Sequence, residues 1–179
     1  EIRVAVVEDR EEERDRLVEL LNSSPGFACV AECASGEEAL MVLPVSKADI
    51  VLMDINMPLV SGIECVRELE PLLPRTQFMM LTVVEHHERI FASLAAGATG
   101  YILKKTPPAR LLEAIRELHA GGDMASFVKD NLTDLDDAKK AALADLVAAL
   151  AAEVGRPAAP GAGDAAALRN LLDPPTFAA

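Results

Sequence analysis

The sequence predicts an α/β fold, a doubly wound parallel sheet of five strands with helices on both faces. Three observations carry this reading. Five short apolar runs alternate with helix-like segments through residues 1–122, and strands that alternate with helices form parallel sheets through right-handed crossovers. The runs are apolar nearly throughout, as strands covered on both faces must be. Four of them also end in polar groups: IRVAVVED in Glu8 and Asp9, ADIVLMD in Asp54, QFMMLT in Thr82, and ATGYILKK in Lys104 and Lys105. The carboxyl ends of parallel strands share one edge, and ligands bind in the crevice there.

The elements follow in order. Ile2–Val7 is the first strand, and a charged helix over Arg10–Leu21 turns Leu17, Val18, Leu20 and Leu21 inward. Asn22 to Gly26 stop it. Phe27–Cys33 is the second strand. Ser35 caps a helix over Gly36–Leu43, Glu38 has the spacing of a capping box, and Pro44 closes the helix. Asp49–Met53 is the third strand. Met57, Pro58 and Gly62 mark a loop before a helix over Ile63–Leu73. Gln77–Leu81 is the fourth strand, with Met79 and Met80 in the core. A helix over Glu88–Ala96 ends at Gly97. Thr99–Leu103 is the fifth strand. Pro107 and Pro108 open the last helix, along which Leu111, Leu112, Ile115, Leu118 and His119 recur at helical spacing before Gly121-Gly122.

Composition narrows the function. The chain has 179 residues, 51% of them hydrophobic, and a net charge of -12. That charge divides into -8 over residues 1–122 and -4 over 123–179. Neither part has the basic face that binding to a phosphate backbone needs, which opposes DNA as a partner. There is no apolar run of membrane-spanning length and no signal peptide pattern, so a cytoplasmic protein without a membrane partner is expected. Cys29, Cys33 and Cys65 have neither metal-ligand nor redox spacing and are read as small buried hydrophobes. His86 and His87 are adjacent, cannot face one ligand together from a helix start, and are read as exposed loop residues. The acidic run Glu11–Glu13 is read as a solvated helix face, with contact to a kinase partner as the alternative.

The strand-end residues suit phosphoryl transfer. Asp54 ends the central run, and an aspartate can attack phosphorus to form an acyl phosphate. Attack of one anion on another needs charge neutralisation, because phosphoryl transfer is mostly positioning and electrostatics. Mg²⁺ takes octahedral oxygen ligation from one or two carboxylates and several waters. Glu8, Asp9 and Asp54 match that demand, and the backbone carbonyl of Asn56 offers a further oxygen. Lys104 would pair with Asp54 and then with the phosphoryl oxygens, and Thr82 would donate a hydrogen bond to one of them.

Residues 1–122 resemble a response-regulator receiver domain of two-component systems. VVED (Val6–Asp9) is similar to its acidic pair, with Glu8 where a second Asp is usual. MDINMPLVSG (Met53–Gly62) resembles the phosphoacceptor loop and LTVVE (Leu81–Glu85) the switch-hydroxyl segment. GYILKKTPPARLLEAIRELHAGG (Gly100–Gly122) resembles the lysine strand and last helix of the NarL/FixJ (LuxR-type) branch. The resemblance implies a flavodoxin-like sheet of order 2-1-3-4-5, the arrangement of which the receiver fold is a standard example. It implies Mg²⁺-dependent transfer to Asp54 from a histidine kinase or phosphotransfer protein. It also implies a switch in which Tyr101 turns inward when Thr82 engages the phosphoryl group. Such a protein is a phosphoacceptor that promotes its own phosphorylation and dephosphorylation, not a conventional enzyme.

Residues 123–179 form an Ala-rich acidic tail in this reading. Thr133–Val154 carries a helical stripe of Leu143, Leu146, Val147, Leu150 and Val154. RPAAPGAGD then reads as a connector and Ala165–Leu172 as a short helical piece. Relatives in this branch carry a helix-turn-helix effector, and no basic recognition helix is evident in the tail. The leading expectation is therefore output through a protein surface, by docking, release or dimerisation of the tail helix or of the fourth and fifth helices. The alternative is a transcription regulator whose DNA-binding effector is lost, truncated or replaced. A hydrolase using an aspartyl phosphate shares the acidic site and ranks last, for want of a cap or substrate pocket.

Overall fold

A computed structural model of the protein describes residues 1–83 and 87–121. His86, the end of the LTVVE segment, and the division into a 1–122 domain and a 123–179 tail with its Thr133–Val154 helix lie at or beyond the limits of the described residues.

The strands are β1 (Ile2–Val7), β2 (Phe27–Cys33), β3 (Ile50–Asp54), β4 (Gln77–Thr82) and β5 (Gly100–Leu103). The helices are α1 (Glu11–Ser23), α2 (Gly36–Ser46), α3 (Gly62–Leu69), α4 (His87–Ala96) and α5 (Pro108–His119). The strands form one sheet of order β2-β1-β3-β4-β5, and every pairing is parallel. This is the expected flavodoxin-like order.

Side chains of β1, β3, β4 and β5 alternate across the sheet, as the strand period of two requires. In β2 an extra residue between Cys29 and Ala31 shifts the pairing with β1, so that Phe27 and Cys29 face one core and Ala31 and Cys33 the other. Ala5, Val7, Val51, Met53, Phe78, Met80 and Tyr101 join the core beneath α2, α3 and α4. Val4, Val6, Ile50, Leu52, Met79, Leu81 and Ile102 join the core beneath α1 and α5. Both sets are almost wholly buried, Tyr101 at 2% exposure included, which explains why the strands read as unbroken apolar runs. Among the described residues no helix is long and apolar enough to cross a membrane.

Three sequence expectations need correction. α2 does not stop at Pro44 but runs through it to Ser46. Pro44 removes one backbone donor only, in an exposed last turn, where the loss costs less than in a helix interior. The helix ends instead where Lys47 adopts a left-handed conformation at φ 54°. α3 ends at Leu69, earlier than expected, because Pro71 has no N–H for the carbonyl of Arg67; Leu73 N–H still bonds Leu69 O at 2.9 Å in the turn that follows. His119, read as part of the apolar stripe of the last helix, is exposed, and Ala114 joins Leu111, Ile115 and Leu118 on the buried side of α5.

Capping also differs in detail from expectation. The Ser35 hydroxyl accepts from Glu38 N–H at 3.1 Å, but the Glu38 carboxylate reaches past Ser35 to accept from Ala34 N–H at 2.7 Å. The complete capping box is at α3. There Ser61 Oγ accepts from Glu64 N–H at 3.2 Å, and Glu64 Oε2 accepts from Ser61 N–H at 2.8 Å. The three cysteines are free, and burial pushes the Cys33 thiol up to about 12 and that of Cys65 up to about 11.

The start of α3 is fixed by a close approach. A Cβ on Gly62 would lie 2.0 Å from the backbone oxygen of Asp54 and 2.9 Å from Met53 Cγ. The closest contact is with the backbone of Asp54, so the strand itself would have to shift. Gly62→Ala should lower the unfolding free energy by roughly 1–3 kcal/mol or more, the cost of overpacking, as read in urea denaturation.

Asp49 ties β3 to the start of β1. It accepts from Arg3 backbone N–H at 2.9 Å and from the guanidinium at 3.0 and 3.3 Å, while its own N–H donates to Arg3 O at 2.8 Å. These bonds from Arg3 hold the Asp49 carboxyl below its ordinary value. A depressed folded value means stabilisation that is present above the unfolded value and is lost as pH falls through the folded one. Asp49→Asn should therefore be less stable than wild type at neutral pH, and the gap should close as urea unfolding is repeated from about pH 5 down to pH 2.

Candidate functional site

The site grows out of strand register. Val7 pairs with Met53, Met53 with Met80, and Met80 with Tyr101, so four strands end nearly level. One row further on, Asp54 stands beside Leu81, and in the row beyond Thr82 stands beside Leu103. Lys104 N–H donates to Thr82 O at 2.7 Å and carries the β4–β5 ladder past the strand end. Glu8 N–H likewise donates to Cys33 O at 3.1 Å. Glu8 continues the alternation of Val4 and Val6, and Asp54 that of Ile50 and Leu52, so both carboxylates belong to the α1–α5 side of the sheet.

The residues expected at the site come together there. One carboxylate oxygen each from Glu8, Asp9 and Asp54 lies within 4.8 Å of the others. Lys104 Nζ is 2.6 Å from Glu8 Oε2 and 3.3 Å from Asp54 Oδ1. Glu8 is fully buried, Asp54 is 2% exposed, and Thr82 is fully buried at the end of β4. Asn56 donates its backbone N–H to Asp54 Oδ1 at 3.2 Å, while its side-chain oxygen accepts from Arg89 on α4. Glu8 is further held by Arg10 N–H on Oε1 at 3.2 Å and by Arg14 on its backbone oxygen at 3.0 Å.

Burial sets the electrostatics. It pushes the Asp54 carboxyl up to about 6, with the Glu8 charge adding to the shift and Lys104 opposing it. Glu8 is also raised, since for a carboxylate with no exposed surface burial outweighs its bond to Lys104. Burial alone would lower the Lys104 amine, but Glu8, Glu13 and Asp54 outweigh it and raise the amine above the usual lysine range. Three clustered carboxylates against one ammonium leave surplus negative charge. Oxygens on an octahedron of ~2.1 Å bonds stand about 3.0–4.2 Å apart, so a small inward movement of side chains would fit this set to Mg²⁺.

One participant escaped the sequence reading. Glu13 lies in the acidic run taken for a solvated face, yet its Oε2 is 2.9 Å from Lys104 Nζ and its side chain is only 20% exposed. Burial raises its carboxyl, but Lys104, Arg10 and Arg16 together bring it below the ordinary value. Helical spacing held the signal: Glu13, Leu17, Leu20 and Leu21 fall at i, i+4, i+7 and i+8 on one face. Glu11 and Glu12, off that face, are exposed as expected.

The comparisons agree with this geometry. Residues 4–116 match the response regulator receiver domain. The transcriptional regulatory protein YxjL of Bacillus subtilis is 34% identical over 120 residues, 67% of this chain and 55% of the relative. The nitrate/nitrite response regulator NarP of Escherichia coli is 36% identical over 113 residues, 63% of this chain and 53% of the relative. A LuxR-family two-component response regulator from Aurantimonas superposes with a TM-score of 0.66 at 29% identity, covering 78% of this chain and 94% of that one. The chain spans about half the length of the curated relatives it matches. Its sheet order, the polar groups on its carboxyl edge and these matches lead to one conclusion: the chain belongs to the response regulator receiver family of two-component systems, with its relatives in the NarL/LuxR branch.

Proposed function

We propose that Asp54 receives a phosphoryl group from a histidine kinase or phosphotransfer protein and that the resulting acyl phosphate switches an interaction surface. The observation that carries this reading is the buried Asp54 carboxylate, with Glu8 and Asp9 oxygens within 4.8 Å and the Lys104 ammonium 3.3 Å away. In the transfer, an Asp54 oxygen forms a bond to phosphorus as the donor's P–N bond breaks. The leaving imidazole keeps the electron pair and takes a proton. Lys104 would balance charge on the phosphoryl oxygens, and Thr82 would donate a hydrogen bond to one. Glu8, Asp9, Asp54 and the Asn56 backbone carbonyl would hold Mg²⁺, which when bound offsets the negative charge that otherwise repels the donor.

Tyr101 sits beside Met80 in register and is buried on the α2–α4 side of the sheet. It is the residue through which a changed Thr82 would reach the surface of α4 and β5. Arg89 on α4, bonded to Asn56, is a second connection from the site to that surface. Output through a protein surface, including a homodimer through α4 and α5 or the 123–179 tail, follows from this reading, as does a cytoplasmic location shared with the donor. A second output reading is favoured by the relatives, several of which are transcriptional regulators: this receiver would then control a DNA-binding effector.

Labelling with a small-molecule acyl phosphate tests the site. Wild type should take up acid-labile phosphate only with Mg²⁺, and Asp54→Asn should take up none. Lys104→Met should slow uptake about 10²–10³-fold, the usual cost of removing one preorganised charge at a reacting centre. Equal labelling of Asp54→Asn and wild type would overturn the assignment. Sedimentation of the labelled and unlabelled chain, with and without promoter DNA, separates the two output readings.

A further inference from the structure

The Lys104 ammonium serves three carboxylates, and they are not equivalent. Glu8 and Asp54 belong to the cluster suited to a cation, whereas Glu13 stands outside it, on the first turns of α1. An ammonium has three donors. Here the contacts are 2.6 Å to Glu8, 2.9 Å to Glu13 and 3.3 Å to Asp54, so the residue expected to react has the longest of the three. Glu13 is itself oriented, since its Oε1 accepts from the guanidinium of Arg10, the residue that precedes α1. Lys104 and Glu13 also line a cavity of about 440 Å³ between α1 and α5, together with Leu17, Leu20, Leu103 and Leu111.

We propose that Glu13 is a positioning residue that restrains Lys104 and thereby slows phosphoryl transfer to Asp54. This rests on the reading of Asp54 as the phosphoacceptor. A cation on the acidic cluster shares the charge of Glu8 and Asp54 and weakens their hold on the ammonium. Glu13 has no share in that ligation and keeps its full charge. It becomes the principal competitor with the incoming phosphoryl oxygens for the same three donors. Lys104 must exchange its Glu13 contact for a phosphoryl contact as the P–O bond to Asp54 forms. The transferred group and the leaving group are unchanged by Glu13; only the availability of the ammonium changes.

The test is a double-mutant cycle on the full chain with Glu13→Gln, Lys104→Met and the two combined. It is read by the initial rate of labelling from a small-molecule acyl phosphate at saturating Mg²⁺. Glu13→Gln should raise the rate on the order of fivefold, the upper range for a partly exposed ion pair. The gain should vanish in the Lys104→Met background, a dependence that a merely structural role of Glu13 would not produce. The equilibrium affinity for Mg²⁺–beryllofluoride, a phosphoryl mimic, supplies the same cycle without turnover and should tighten on Glu13→Gln only when Lys104 is present. An unchanged or lower rate in Glu13→Gln, or equal gains in both backgrounds, overturns the proposal while the assignment of Asp54 stands. Absence of Mg²⁺-dependent label in wild type, or its persistence in Asp54→Asn, overturns the underlying reading and this proposal with it.

Discussion

Two acidic side chains with almost no exposed surface, Glu8 and Asp54, are held at one edge of the sheet against a single ammonium from Lys104. Everything else at the site answers to that constraint. Burying like charges is costly, and a group in this position either takes up a proton or acquires a compensating charge. One lysine just past the end of β5 cannot neutralise Glu8, Asp9 and Asp54 together, and Glu13 adds a fourth negative group to its load. The architecture therefore carries a standing electrostatic deficit that a divalent cation suits. The backbone donors aimed at Glu8 and Asp54, from Arg10 and Asn56, reduce that deficit without removing it.

The fold makes the constraint possible by levelling strand ends. Parallel pairing of β1, β3, β4 and β5 brings chemistry from residues 8, 54, 82 and 104 into adjoining rows. Gly62 lets α3 begin directly against the Asp54 carbonyl, and the Ser61–Glu64 capping box closes that helix start. The loop after β3 is thus drawn back onto the strand it leaves, with Gly62 N–H bonded to Ile55 O at 3.1 Å. A carboxylate placed on so short a tether has little conformational freedom.

Much of this was legible in the chain. The boundaries of β1 and β2 match their apolar runs, because continuous Val, Ala and Ile between polar flanks has few other solutions in a small α/β protein. The meeting of Glu8, Asp9, Asp54 and Lys104 followed from strand polarity alone. Helix ends were less legible. Pro44 and Pro71 are the same residue type, yet only the second ends its helix, since the outcome depends on which carbonyl loses its donor and on what the next turn can bury. Glu13 was missed for a related reason. Three glutamates in succession look like a solvated face, and only the phase of α1 against its leucines separates the third from the other two.

The alternation of β1 and β3 between two cores has a cost for sequence change. Losing or gaining a single residue within β1 or β3 would send Val4, Val6, Ile50 and Leu52 to the side now filled by Ala5, Val7, Val51 and Met53. The same half-turn would carry Glu8 or Asp54 away from Lys104. Length variation is therefore excluded from β1 and β3; the extra residue the sheet does accommodate, between Cys29 and Ala31, lies in the edge strand β2.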